Sequence, residues 1–181
     1  VLVSGLAFGQ AKKVVSSDVH WWGYKLAKTE ASSHDGTVTV KNGTVVLKKN
    51  ALVGGTFVLD MTSINATDLQ GEYQQKLNGH LKNGDFFEVD KFPTATFKIT
   101  SVKKAANGKS IVSGTLTAKG KTNAVGFEIT VAGNSATADL KVDRTKYDIT
   151  YKSGNFFSDL GDKAIYDEFE LKVKLVFSFI D

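Results

Sequence analysis

The side chains best suited to chemistry in this chain of 181 residues are its three histidines, His20, His34 and His80. They do not have the spacing of a zinc motif, and no His-Glu helix motif of the metalloprotease type occurs. The sequence contains no cysteine, which excludes disulfides, thiolate metal sites and thiol nucleophiles. These residue types therefore predict no metal centre.

Two polar groups contain catalytic residue types without the required arrangement. Ser32-Ser33-His34-Asp35 has the members of a catalytic triad, but sequence neighbours on a strand or loop point apart. The acidic group Asp85, Glu88 and Asp90 lies beside lysines and has no second acid at an interpretable spacing. We therefore expect no enzyme and name no catalytic residue.

The composition limits the classes of partner that the protein is expected to bind. The chain is 41% hydrophobic and 23% charged, with a net charge of +4 that comes from lysines scattered singly. Nucleic-acid readers concentrate Lys and Arg on one face, whereas Arg144 is the only arginine here. No stretch approaches the roughly 20 apolar residues that span a bilayer. We expect neither a nucleic-acid partner nor a membrane span.

The N-terminus carries a targeting signal in its residue pattern. Residues 1–11 are apolar, Gly9 and Ala11 have the small-residue spacing that signal peptidase prefers, and two lysines follow. We interpret 1–11 as a signal-peptide remnant and 12–181 as one domain, exported to the periplasm or beyond. The alternatives for residues 1–11 are a first buried strand or an expression remnant.

Alternation with a period of two dominates the rest of the chain, which predicts strands with one apolar face. It is clearest over 169–179, where odd-numbered positions are apolar and Glu170, Lys172 and Lys174 take the other face. The same pattern places these residues on inward faces: Phe57, Leu59 and Met61; Ala95, Phe97 and Ile99; Val125, Phe127, Ile129 and Val131; Ala136, Ala138, Leu140 and Val142. One apolar face per strand is typical of an antiparallel sheet.

Turn residues separate these runs. Lys41-Asn-Gly-Thr44 and Ala106-Asn-Gly-Lys109 are type I′ hairpin signals, and Gly120 and Gly133-Asn134 mark later reversals. Short spacing without helical crossovers favours a closed barrel or sandwich over a parallel α/β sheet.

One segment has helical periodicity. Between residues 68 and 87, Tyr73, Leu77 and Leu81 recur every four residues, and Thr67 or Asp68 can cap the first turn. Asn83-Gly84 should end this helix, leaving residues 85–87 as a second short turn.

Residues 80–100 carry a resemblance to a known family. His80-Leu81, then Asp85-Phe86-Phe87, then Phe92-Pro93-x-Ala95-x-Phe97 match the pattern of the YceI family of lipocalin-like barrels. Residues 54–64, 112–122 and 143–149 extend the likeness, which covers about 13–179.

The resemblance implies an all-β, antiparallel barrel of about eight strands, with a short helical segment covering one end. It also implies an elongated apolar cavity for an isoprenoid, quinone, fatty-acyl or fatty-amide chain, and it implies no chemistry. The residues alone leave a hollow and a filled interior open, so an interaction domain with a filled core is the alternative.

We expect the cavity to be lined mainly by inward aromatic and aliphatic side chains. Only one of Trp21 and Trp22 can face inside, and we choose Trp22. The expected lining is Trp22, Phe57, Leu77, Leu81, Phe86, Phe87, Phe97, Ile99, Phe127, Ile129, Leu140 and Phe177.

His80, Asp85 and Arg144 are the polar candidates at the mouth. They would meet a ligand head group or gate access; alternatively, His80 caps a helix end and Arg144 pairs with a carboxylate to fix a turn. No cofactor is expected beyond a bound hydrophobic small molecule. Because the family's barrels can pair, a homodimer is also among the expectations.

Overall fold

The computed structural model describes residues 9–26 and 32–179. Eight strands run in chain order: β1 Gln10–Tyr24, β2 Ser33–Lys48, β3 Ala51–Ala66, β4 Thr94–Lys104, β5 Lys109–Ala118, β6 Lys121–Ala132, β7 Ser135–Asp143 and β8 Glu168–Phe179. One helix, α1, spans Gly71–Lys82, and short 3-10 turns span Arg144–Tyr147 and Gly161–Lys163.

The strands form a closed barrel in which each pairs antiparallel with the next and β8 pairs with β1. Closure leaves no unpaired sheet edge. The predicted antiparallel barrel of about eight strands, with a short helix, is confirmed. The apolar residues predicted from alternation on β6 and β7 face the interior, where Ile129, Ala136 and Ala138 are buried.

The hairpin predicted at Asn42-Gly43 is wrong. Strand β2 runs through this position, and the register with β3 shifts between Val40 and Asn42. Gly43 is buried, and a Cβ there would lie 2.9 Å from both Phe57 and Val14. The glycine therefore serves close packing. The chain reverses instead after Lys48, where Lys49 and Asn50 both have positive φ.

The hairpin predicted at Asn107-Gly108 is confirmed. Both residues have positive φ, at 62° and 72°, as a type I′ turn requires. The two Asn-Gly pairs differ because residues 105–108 lie between strands, whereas Gly43 lies within β2 and faces the interior beside Phe57 and Val14.

The helix is shorter at its start than predicted. It begins at Gly71, and Gln70 at its N-cap makes no side-chain cap. The Asp68 carboxylate accepts instead from His34 at 2.8 Å and from the Asp35 amide at 3.2 Å. Asp68 therefore ties the β3–α1 link to β2, which leaves α1 without the predicted cap. The helix ends at Lys82 before a turn at 84–87, as expected.

The choice of Trp22 as the inward tryptophan is wrong. Trp21 is 8% exposed and sits opposite Gly36 on β2. A Cβ at Gly36 would lie 2.8 Å from Cζ2 of Trp21, so only glycine leaves room for the indole. Trp22 points outward and contacts the His20 ring, with centroids 4.4 Å apart.

Part of the predicted signal-peptide segment, residues 1–8, lies outside the described residues. Gln10 and Ala11 belong to β1 and pair with Leu47 and Val46 of β2.

At the C-terminal end of β8, Phe179 is 53% exposed although alternation placed it inside, because β8 runs beyond the interior there.

Candidate functional site

The interior of the barrel is hollow and divides into two chambers. The upper chamber lies beneath α1 and the 84–87 turn and has a volume of about 160 Å³; the lower chamber has about 100 Å³. A single water takes roughly 10–15 Å³ on the same scale. Both chambers therefore have room for part of a ligand.

The upper chamber is built from strand ends and the segments that close them. Its walls are Trp21, Gly23, Val38, Met61, Ile64, Leu81, Phe86, Phe87, Ala95, Ala118, Arg144, Ile149, Ile165, Tyr166 and Phe169. Tyr166 lines the chamber and is also 37% exposed, so the chamber approaches the surface beside it. We define this region, around Gly23, Phe87 and Tyr166, as the mouth.

The lower chamber is built from strands alone. Its walls are Val19, Val40, Phe57, Phe97, Ile99, Val125, Phe127, Ile129, Ala136, Thr137, Ala138, Leu140, Val173 and Leu175. Phe97 packs against Phe57 and Phe127, with ring centroids 6.4 Å and 5.4 Å away. Gly114 lies beneath Phe97, and a Cβ there would be 2.5 Å from that ring.

The two chambers adjoin end to end, since Leu59, Leu116 and Leu171 border both. We call the two chambers together the lumen. On β8 the lining runs from Phe169 to Leu175. Six residue steps of extended chain cover roughly 20 Å, or about 15 Å along the barrel axis once strand tilt is included. The lumen is thus elongated, and its shape suits an extended hydrocarbon chain better than a compact ring system.

Below the lower chamber the barrel is filled by side chains, which we call the floor. It consists of Val45, Leu47, Leu52, Val112 and Phe177, each between 0% and 5% exposed. The Lys12 amine covers this end, donating to Asn134 at 2.8 Å and lying 5.8 Å from the Phe177 ring centroid. The lumen therefore ends blindly at the floor.

Arg144 is 4% exposed and holds the loops of the mouth together. Its guanidinium donates to the carbonyls of Tyr166, Ile149 and Ile165, each at 3.0 Å. Burial lowers the pKa of Arg144, while Asp167 and Asp143 act in the opposite direction. The charged donors are thus committed to main-chain oxygens, and Arg144 presents mainly its apolar stem to the upper chamber.

His80 and Asp85 form a pair outside the lumen. His80 Nε2 lies 2.9 Å from Asp85 Oδ2, and the His80 ring packs edge-on against Phe86 and Tyr151. Because Phe86 lines the upper chamber, this pair supports the chamber wall from behind. Neither His80 nor Asp85 borders either chamber.

The other two histidines also pair with aspartates. His20 Nε2 lies 2.6 Å from Asp35, and His34 Nδ1 lies 2.8 Å from Asp68. These contacts join β1, β2 and the β3–α1 link. Within residues 9–26 and 32–179, no three or more His, Cys, Asp or Glu residues come together as a metal-binding group.

The structure brings most of the predicted lining residues to the lumen. Phe57, Phe97, Ile99, Phe127, Ile129 and Leu140 border the lower chamber, and Leu81, Phe86, Phe87 and Arg144 border the upper one. Leu77 packs against the core cluster around the upper chamber without bordering it, and Phe177 belongs to the floor. Trp22 lies outside the barrel, as described above.

Several lining residues were not among the predicted set. Alternation on β8 already marked Phe169, Leu171, Val173 and Leu175 as inward, and its apolar face could have found them. Ile149, Ile165 and Tyr166 carry no periodic signal because they lie in irregular segments. Only the folded arrangement, with Arg144 between them, brings those residues to the mouth.

A closed eight-stranded antiparallel barrel around an apolar lumen defines a lipocalin-like barrel. Residues 11–177 match the YceI-like domain family, and the chain belongs to that family. None of the helices in the described part of the chain is long and apolar enough to cross a membrane.

Similar proteins agree with this assignment. A UPF0312 protein of Yersinia enterocolitica is 33% identical over 114 residues, covering 61% of this chain and 58% of that protein. A UPF0312 protein of Vibrio parahaemolyticus is 34% identical over 70 residues, covering 39% of this chain and 36% of its own length. The chain thus aligns with less than two thirds of these relatives.

Solved structures share the fold. BcnA of Burkholderia cenocepacia superposes with a TM-score of 0.66 at 23% identity, covering 88% of this chain and 95% of its own. A polyisoprenoid-binding domain from Saccharophagus degradans, implicated in plant cell wall breakdown, gives 0.60 at 13% identity, covering 95% and 99%. At these identities the likeness establishes the fold.

Proposed function

We propose that the protein binds one long-chain amphiphile, such as an isoprenoid, a quinone or a fatty amide, with its hydrocarbon chain in the lumen. The observation that carries this proposal is the pair of adjoining apolar chambers, closed at one end by the floor and bordered at the mouth by the partly exposed Tyr166. The polyisoprenoid-binding neighbour from Saccharophagus degradans supports the same ligand class.

The walls favour hydrocarbon over any polar ligand. Nearly every lining side chain is aliphatic or aromatic, and the guanidinium of Arg144 already has its hydrogen-bond acceptors. Affinity would come from burying methylene groups, at about 0.8 kcal/mol each. A polar head group would remain at the mouth, where it keeps contact with water.

The role that fits such a site is sequestration or carriage of the ligand, without a catalysed reaction. A chain with low solubility in water needs an apolar shell to move between compartments or membranes. Export to the periplasm, proposed from the sequence of residues 1–11, would place the carrier where such transfer occurs. We also propose a homodimer, which a measurement of the protein's molecular mass in solution would test.

The two adjacent tryptophans provide a matched reporter of binding. Trp21 lines the upper chamber, whereas Trp22 contacts His20 outside the barrel. Addition of farnesol should change the emission of the wild type and of Trp22→Phe, and should leave Trp21→Phe nearly unchanged. Solvent extraction and mass spectrometry of protein purified without detergent would identify any ligand already bound.

A blocking variant tests the location of the ligand. Ala118 is 6% exposed and lines the upper chamber, so Ala118→Phe would fill part of that space. The control is Ala124→Phe on the exposed side of β6. Loss of farnesol binding in Ala118→Phe alone supports the proposal. No binding by the folded wild type, of farnesol or of a fatty amide, would overturn it in favour of an interaction domain.

A further inference from the structure

The boundary between the two chambers is formed by three leucines. Leu59, Leu116 and Leu171 are the residues that border both chambers. All three are partly buried and face inward. We call these three residues the waist.

The positions of these leucines distribute them around the barrel. Leu59 lies on β3, Leu116 on β5 and Leu171 on β8. Following the closed strand order, the steps between them are two, three and three strands, which together make up the eight strands of the barrel. Three side chains spaced almost evenly around the closed wall therefore stand at the level where the two chambers adjoin.

The waist also lies between chambers of different construction. Above it, irregular segments such as those carrying Ile149 and Ile165 contribute to the wall. Below it, every lining residue belongs to a strand, and the floor closes the space. A chain that enters at the mouth reaches the lower chamber only by passing between the leucines.

We propose that Leu59, Leu116 and Leu171 select ligands by the length of their hydrocarbon chain. This inference rests on the proposed function. Short chains occupy the upper chamber and do not meet the waist. Long chains can also enter the lower chamber and bury more of their surface there. They do so only if the three leucines leave a passage wide enough for a methyl-branched chain.

The test uses geraniol, farnesol and geranylgeraniol, a series that grows by one isoprene unit at a time. Their affinities are measured from Trp21 emission in a Trp22→Phe background, after removal of any co-purified lipid. Leu116→Phe narrows the waist and Leu116→Ala widens it. Leu175→Ala is the control, because it removes the same side-chain atoms from the lower chamber four residues along β8 from the waist residue Leu171.

Leu116→Phe should weaken the binding of geranylgeraniol by about tenfold and that of geraniol by less than about twofold. The larger loss is the one expected when roughly two methylene groups of the ligand remain in water. Leu116→Ala should shift the preference toward the longer alcohol. Leu175→Ala leaves the waist unchanged, so it should leave the affinity for geraniol unchanged and should not strengthen the binding of geranylgeraniol. If Leu116→Phe does not fold, Leu171→Phe makes the same change from another strand.

Equal weakening of the binding of all three alcohols by Leu116→Phe would overturn the proposal, as would a shift toward the longer alcohol in Leu175→Ala equal to that in Leu116→Ala. These outcomes are distinct from failure of the proposed function. In that case the Trp22→Phe protein itself would bind none of the three alcohols, whatever residue stands at 116.

Discussion

The floor and the mouth of the barrel are closed by different interactions. The floor is a packed cluster of strand side chains, with Phe177 at 2% exposure and Val112 at 0%. The mouth is closed by irregular segments that Arg144 joins through hydrogen bonds to main-chain carbonyls. Local opening is easiest where buried apolar contacts are few, so the mouth is the end expected to admit a ligand.

This contrast explains how one barrel combines a stable wall with access to its interior. Dense packing costs several kcal/mol to disrupt, whereas irregular segments joined by hydrogen bonds can open locally at a lower cost in free energy. Four predictions test the contrast, beginning with the largest expected effect.

Phe177→Ala should destabilise the protein by about 4 kcal/mol, because it opens a cavity in the filled floor. Phe127→Ala should cost about half as much, since that ring borders space that is already empty. Urea unfolding of both variants provides the comparison. Equal losses would show that the lower chamber is filled in solution and would remove the distinction between floor and lumen.

Arg144→Met should cost about 3 kcal/mol, because three main-chain carbonyls lose their donor inside the protein. Hydrogen exchange should show the loss concentrated in residues 145–167, with β4 to β6 little changed. Lys146→Met, at an exposed position two residues away, is the control. Arg144→Lys should restore little, since a single ammonium cannot reach all three carbonyls. Uniform loss of protection across the barrel would contradict this role.

Gly114→Ala should cost about 2 kcal/mol by overpacking the lower chamber. The new Cβ would meet the Lys98 carbonyl oxygen, a main-chain atom, as well as the Phe97 ring. Gly126→Ala is matched to it on the neighbouring strand, where the nearest atom would be the Val112 carbonyl oxygen at 3.5 Å. Similar midpoints of thermal unfolding in the two variants would show that Phe97 moves freely into the lumen.

Tyr147→Phe should have the smallest effect, a gain of up to about 1 kcal/mol at neutral pH. Among the described residues, the Tyr147 hydroxyl is the buried side-chain polar atom without a hydrogen-bond partner. Burial, with a smaller contribution from Asp143, raises the pKa of Tyr147 above its ordinary value of 10.0.

The raised pKa of Tyr147 sets the pH dependence. Below pH 10.0 Tyr147 keeps its proton in both the folded and the unfolded state, and the difference in pKa causes no loss of stability. As the pH rises through 10.0 toward the folded-state pKa, the unfolded chain ionises first and the free energy of unfolding falls. Tyr147→Phe should therefore reduce the alkaline loss of stability. Part of that loss should remain, since burial also raises the pKa of Tyr24. An unchanged alkaline slope would contradict the prediction.

Much of the fold could be predicted from sequence because strand alternation is a local property. The apolar positions of β8 and the Asn107-Gly108 hairpin needed no knowledge of distant residues. The same local reasoning failed at Asn42-Gly43, where the glycine is required by the approach of Phe57 and Val14 from neighbouring strands. It failed again at Trp21 and Trp22, where Gly36 on β2 determines which ring fits inside.

The sequence by itself determined the family, the antiparallel strand pattern and the apolar character of the interior, because each depends on residues close together in the chain. The tertiary structure alone decided that the lumen has two chambers, that Leu59, Leu116 and Leu171 border both of them, and that Arg144 holds the mouth loops. The physical reason is that a cavity is the space left between side chains of distant strands, and its shape follows from their register and packing.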